Sequence, residues 1–465
     1  MKKLLFALLL LTGCYCQAAV TPADTPAWLE QLAATKEQAP EHMLSQLDAR
    51  QHEFSQLNAA QQAYWLNQQA AIFSYLGQYS QQQAAAEQGL ALLHGQENPA
   101  LQAELLFELG YAREMQLAFN DALNAYQRGA SLAAESANIA LQIRGIINIA
   151  AIDSLQDRDQ LALQQLKHAY HLAETLQDNA VLADVNAQLG LLYSSLGFEH
   201  EAQEFLERAL TLYADLGWQK NRISVLYNLA RNYGALKNYE QAQQSFNLML
   251  QAAQQENDKL NLYYAYSGLA ITSNDMAQPQ KALNYMEKAE EYLAALEAPY
   301  YLAGHHYEKA LIYQKLQQNT QAMQQLLLAE QHFQQLPDEQ SASILLAGRL
   351  LKSELLAEQG QYAGAYEQLR GFVRAFQQFR DKENELALAQ AKMTFETERA
   401  AARQSMQQQE HQLKALELSH SKQIQWMWLA LLVLLGMLVI LSAKQLLATR
   451  RNSQAISTAL QQDKA

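Results

Sequence analysis

Cysteine is confined to Cys14 and Cys16, and proline occurs only 7 times in 465 residues. Beyond residue 16 the chain can form neither a disulfide framework nor a cysteine metal site. Such a body suits an oxidising compartment. Glycine is also sparse, at 18, so both breakers fall below their usual shares of about 7% and 5%. Abundant Ala, Leu, Gln and Glu then favour long helices joined by short turns. No alternating run of β-branched residues marks a strand. The expected fold class is all-α. Basic residues are outnumbered, 34 against 47 acidic, for a net charge of -13. A nucleic-acid partner is not expected, because phosphate contact needs a basic face. The acidity is spread thinly, without a block of like charge. HExxH, GxSxG, GxxxxGK[ST] and GxGxxG are all missing. Neighbouring His305 and His306 would point about 100° apart on a helix and could not share a metal. His168 and His171 share a helix face but lack a nearby carboxylate cluster to complete a ligand set. Neither an enzyme nor a cofactor is expected.

What the chain has instead is a period. Ala122, Ala162, Ala202, Ala242, Ala282 and Ala322 stand 40 residues apart. Four residues after each comes a large one: Tyr126, Leu166, Leu206, Phe246, Met286 and Leu326. Seven after it come Gly129, Ala169, Ala209, Met249, Ala289 and Ala329. Twelve before it stand Gly110, Ala150, Gly190, Ala230, Ala270 and Ala310. Small residues at two fixed places let two antiparallel helices approach, and the large residue fills the space one turn away. One such pair cannot bury its apolar face alone, so the pairs must stack. Two less regular copies flank the six. One holds Leu76-Gly77-Gln78-Tyr79 and Ala86; the other, shifted by three, holds Gly360-Gln361-Tyr362 and Ala365.

These segments resemble the tetratricopeptide repeat. Leu189-Gly190-Leu191-Leu192-Tyr193 with Ala202, and Leu229-Ala230-Arg231-Asn232-Tyr233 with Ala242, carry the likeness. At 40 residues the unit is similar to the long MalT-like and kinesin-light-chain-like repeats. The resemblance implies a superhelical solenoid of about eight helix pairs over residues 60–375, after a helical cap at 19–59.

Both ends carry membrane signals. Met1-Lys2-Lys3, an apolar run from Leu4 to Leu11, and small residues up to Ala18 form a secretory signal over 1–18. Leu11-Thr12-Gly13-Cys14 also fits a lipobox, which would place a lipid on Cys14. Near the other end, residues 423–443 pass without a charge. That is roughly 30 Å of helix, one hydrocarbon core, and gives a transmembrane helix at 424–443. Trp426 and Trp428 sit where interfacial aromatics belong, and Lys444, Arg450 and Arg451 follow. The bias puts the 444–465 tail in the cytoplasm and the repeats outside. Between them, 376–423 reads as a long helix with a broken apolar stripe: Leu386, Ala389, Met393, Ala400, Leu413 and Leu416. It is a two-chain coiled coil or a solvated stalk.

This order of parts resembles the periplasmic input half of bacterial membrane sensors, in which a diguanylate cyclase or histidine kinase usually follows. Here 22 residues follow Ala443, and the expectation is a sensor without that output domain. The expected place is the bacterial inner membrane, single-pass, with the repeats in the periplasm. The expected role is a membrane-anchored periplasmic protein- or peptide-binding repeat protein, the input or scaffold of a signalling system. A structural adaptor for an envelope complex and a truncated sensor are the alternatives. Expected partners are a protein or peptide in the concave groove, the membrane, a second copy through the connector, and a cytoplasmic signalling protein.

In the family, an asparagine two residues before the small crossing residue often holds the backbone of a bound peptide. Here that position is Asn148 and Asn228, with Gln188 between them, whereas Glu108, Gly268 and Glu308 depart from it. Arg231, Tyr227 and Arg144 are expected on the same groove. The alternative is that all are ordinary solvated groove residues. Tyr263-Tyr264-Ala265-Tyr266 reads as core and groove wall.

Overall fold

The computed structural model describes residues 21–379, except 37–38, 157, 256–257, 294–298 and 336–337, and scattered residues between 392 and 453. The signal at 1–18 with Cys14, most of the 376–423 connector, and the tail beyond 453 lie outside the described residues.

Three short helices open the described chain: α1 (Ala27–Thr35), α2 (Pro40–Ala49) and α3 (Gln51–Phe54). Eight helix pairs follow. They are α4 (Ala59–Tyr75) with α5 (Tyr79–Leu92), α6 (Pro99–Met115) with α7 (Phe119–Glu135), and α8 (Ile139–Leu155) with α9 (Asp159–Leu176). Next come α10 (Asn179–Ser195) with α11 (Glu199–Leu216), and α12 (Gln219–Ala235) with α13 (Tyr239–Gln255). The last are α14 (Lys259–Asp275) with α15 (Pro279–Leu293), α16 (Pro299–Lys315) with α17 (Asn319–Phe333), and α18 (Asp338–Glu358) with α19 (Tyr362–Phe379). The architecture is an all-α, tetratricopeptide-type superhelical solenoid.

The 40-residue period sets both the ends and the packing of these helices. Asn58, Asn98, Asn138, Asp178 and Asp258, separated by multiples of 40, each cap an inner helix by accepting from its first-turn backbone N–H groups. Such caps are worth about 1 kcal/mol each. In six of the pairs the turn passes through a left-handed residue on the same period: Gly77, Leu117, Gly197, Lys237, Ala277 and Gln317. Gly360 takes that role in the last pair, three residues late, which accounts for the shifted copy. The six period alanines are fully buried, as are Tyr126, Leu166, Leu206, Phe246, Met286 and Leu326. Each fully buried large side chain contributes roughly 1.5–3 kcal/mol.

Each inner helix, the first of its pair, also touches the inner helix of the next pair. Successive outer helices do not pack on each other in this way, so the first helices line the concave side. The cap helices close the N-terminal end through Leu29, Leu32, Met43 and Leu47, packed with Trp65 of α4.

The unit from Lys392 onward contains the helix Lys422–Arg450. Its most apolar stretch has a mean hydropathy of 2.4 and is unburied. Among the described residues it is the one helix long and apolar enough to cross a membrane.

Candidate functional site

Forty residues bring a helix face back to the same place in the next repeat. Asn148 on α8, Gln188 on α10 and Asn228 on α12 therefore form one stripe along the inner face, and all three are buried. The Asn228 carboxamide nitrogen has no hydrogen-bond partner among the described residues. The stripe continues to Gln68 and Glu108 on one side and Glu308 on the other, with Gly268 interrupting it. Tyr227 and Arg231 on α12 are half-buried, with the guanidinium 5.3 Å from the Tyr227 ring centre and hydrogen-bonded to its hydroxyl. Burial lowers the Arg231 guanidinium's proton affinity, opposed by Tyr227 and Tyr300, and burial raises the Tyr227 hydroxyl.

Arg144 is held differently. Its guanidinium lies 2.8 Å from the Glu108 carboxylate and 5.3 Å from the centre of the Phe107 ring, and both charges are buried. It ties α8 to α6. Glu104 holds the place one period before Arg144, outside the amide stripe. Asn67 donates to Glu104 at 2.6 Å, while Gln82 donates to Glu108 at 2.9 Å. Lys36 donates to Gln68 at 3.0 Å. In the next repeat, Asp184 accepts from the Tyr213 hydroxyl at 2.6 Å. The inner face is thus a ladder of buried acids, bases and amides.

Burial dominates at three acids, Glu104, Glu114 and Glu308. It lifts Glu104 to about 7 against the pull of Arg144 and Lys36, and Glu114 to about 7 against a hydrogen bond from Tyr126. Glu308 rises to about 8 through burial and the nearby Asp275. A carboxyl whose folded pKa exceeds its unfolded value near 4.5 stabilises the fold most below the unfolded value. That contribution is lost as pH rises through the folded one. Thermal stability is therefore expected to fall between about pH 5 and pH 8. The Glu308→Gln variant should show a shallower fall, with the two curves diverging by up to about 1.4 kcal/mol per pH unit. Melting curves across this range check it, and parallel slopes would refute the assignment to Glu308.

The inner face is also enclosed. The Lys220 ammonium on α12 donates to the Tyr75 carbonyl at the end of α4 at 2.6 Å and sits 5.5 Å from the Tyr75 ring centre. Tyr79 lies within electrostatic reach of Tyr301 and Asp258. The turn of the first pair therefore lies against the starts of inner helices in the fifth to seventh pairs. One superhelical turn closes there. Beside this contact a tyrosine patch lines α12, α14 and α16. Tyr227 is 5.2 Å from Tyr264, and Tyr301 is 6.0 Å from both Tyr263 and Tyr264, between ring centres. Tyr263 and Tyr264 are buried in the core, and Tyr266 stacks on Tyr292.

His305 and His306 point apart: His305 faces Glu290 at 3.7 Å, and His306 stacks on His332. Among the described residues no group of three or more His, Cys, Asp or Glu is placed to hold a metal ion.

No protein-family model matches the chain, and no curated protein matches its sequence. Solved structures do. A Rap protein complexed with competence and sporulation factor is 14% identical, with a TM-score of 0.52 over 66% of this chain and 85% of that one. NprR in complex with its cognate peptide NprX is 16% identical, with a TM-score of 0.50 over 76% of this chain and 99% of that one. At such identity the likeness establishes the fold, a helical repeat solenoid.

Proposed function

We propose that this chain is a membrane-anchored, periplasmic repeat protein that binds an extended peptide or protein segment along its concave face, as the input or scaffold of a signalling system. The observation that carries the reading is the amide stripe Asn148, Gln188 and Asn228, set 40 residues apart on the enclosed inner face. Carboxamides offer both a donor and an acceptor, which is what an extended backbone requires. The buried Asn228 nitrogen, with no partner of its own, supplies one such donor. NprR, of similar fold, was solved with its cognate peptide, which supports a peptide as the ligand class. The unburied apolar helix Lys422–Arg450 supports the anchor, and the apolar leader at 1–18 supports secretion. The bacterial inner membrane, with the repeats in the periplasm and the tail in the cytoplasm, is part of the same proposal.

The test is capture of partners by the intact protein from its membrane, then affinity measurement with the double variant Asn148→Ala plus Asn228→Ala. Losing two backbone hydrogen bonds, each worth about 1 kcal/mol, should weaken a captured peptide roughly 10- to 50-fold. Unchanged affinity would sink the groove assignment.

A further inference from the structure

The outer helix α19 differs from its predecessors in what covers it. Tyr362, Tyr366, Leu369 and Val373 are 71%, 63%, 42% and 44% exposed. Allowing for the three-residue shift, Leu369 occupies the place of Leu326 on α17, which is fully buried by the following pair. Steps of 4, 3 and 4 put all four on one helix face. The end of a repeat array normally presents a polar surface; this one presents two tyrosines, a leucine and a valine.

The stripe also continues in the sequence. Phe376, Phe379, Leu386, Ala389, Met393 and Ala400 follow at steps of 3, 3, 7, 3, 4 and 7. A seam of mixed 3 and 4 steps is what two helices need to pair along their length. No glycine lies between Gly371 and Gly436, and the last proline is Pro337. The following stretch therefore lacks the residue types that most often interrupt a helix.

We propose that the exposed face of α19 pairs with the same face of a second copy of this chain, side by side and parallel. The dimer would then begin on the last repeat itself, at Tyr362, rather than in the connector. Any change in the curvature of the solenoid would act directly on the pairing.

Cysteine is missing from the body, so single cysteines report cleanly. In the full chain carrying Cys14→Ala and Cys16→Ala, oxidised in its membrane, Tyr366→Cys and Leu369→Cys should give a disulfide-linked dimer. The exposed outer position Arg208, changed to cysteine, should not. In detergent, Leu369→Glu should halve the particle mass while leaving the melting temperature unchanged. The proposal is overturned if the 366 and 369 cysteines stay monomeric, if Arg208→Cys links as well, or if the Leu369→Glu protein remains dimeric through the connector alone.

Discussion

Replacing Arg144 by alanine should lower the stability of the solenoid by about 3–5 kcal/mol, the usual cost of stranding one partner of a buried ion pair. The size follows from the surroundings. Arg144 and Glu108 are both buried, and 2.8 Å separates them. Without the guanidinium, Glu108 keeps the amide of Gln82 as its partner among the described residues, and Glu104 loses the larger of the two charges that oppose its desolvation. Glu104, already raised by burial, would then be pushed further toward its protonated form. Urea unfolding of the full chain in detergent gives the number. Arg144→Met combined with Glu108→Leu should recover most of the loss, since an apolar pair of similar volume often matches a buried ion pair. If Arg144→Ala costs under about 1 kcal/mol, the pair is solvated and the enclosed ladder is wrong.

Phe246→Ala should cost about 3–5 kcal/mol, the range for truncating a buried aromatic. Its ring fills the place left by the missing side chain of Gly268 on α14, and a β-carbon added at Gly268 would overlap that ring. The two residues are complementary in volume. Gly268→Leu alone overpacks the site and should cost about 1–3 kcal/mol. The double variant Phe246→Ala plus Gly268→Leu should be more stable than Phe246→Ala alone, because the leucine refills the cavity. Chemical denaturation of the three proteins measures the coupling. Strict additivity would show that the two residues do not share a space.

Much of this fold is legible from spacing. The alanines at 122 to 322 and the large residues four places later predict which positions are buried, and they are buried. The same period also carries the helix caps. Asn58, Asn98, Asn138, Asp178 and Asp258 mark the starts of five of the eight inner helices. The left-handed turn residues could not have been found from residue type, because Leu117, Lys237, Ala277 and Gln317 stand where glycine would be expected. The groove residues were legible only as positions. Nothing in the local sequence shows that Arg144 is bound to Glu108, 36 residues earlier, while Arg231 lies over the Tyr227 ring four residues before it.

The sequence by itself determined the helix pair, its length and its inward face, because those follow from contacts between residues a turn or one repeat apart. The tertiary structure alone decided how far the array curls. The contact of Lys220 with the Tyr75 carbonyl joins residues 145 positions apart. No 40-residue pattern encodes it, since it results from small rotations summed over four repeats. That closure brings the turn of the first pair against the later inner helices and encloses the inner face. The end of the array was decided in the same way. Only the packed structure shows that the Leu326 position is covered and the Leu369 position is not, because covering depends on whether another helix pair lies alongside.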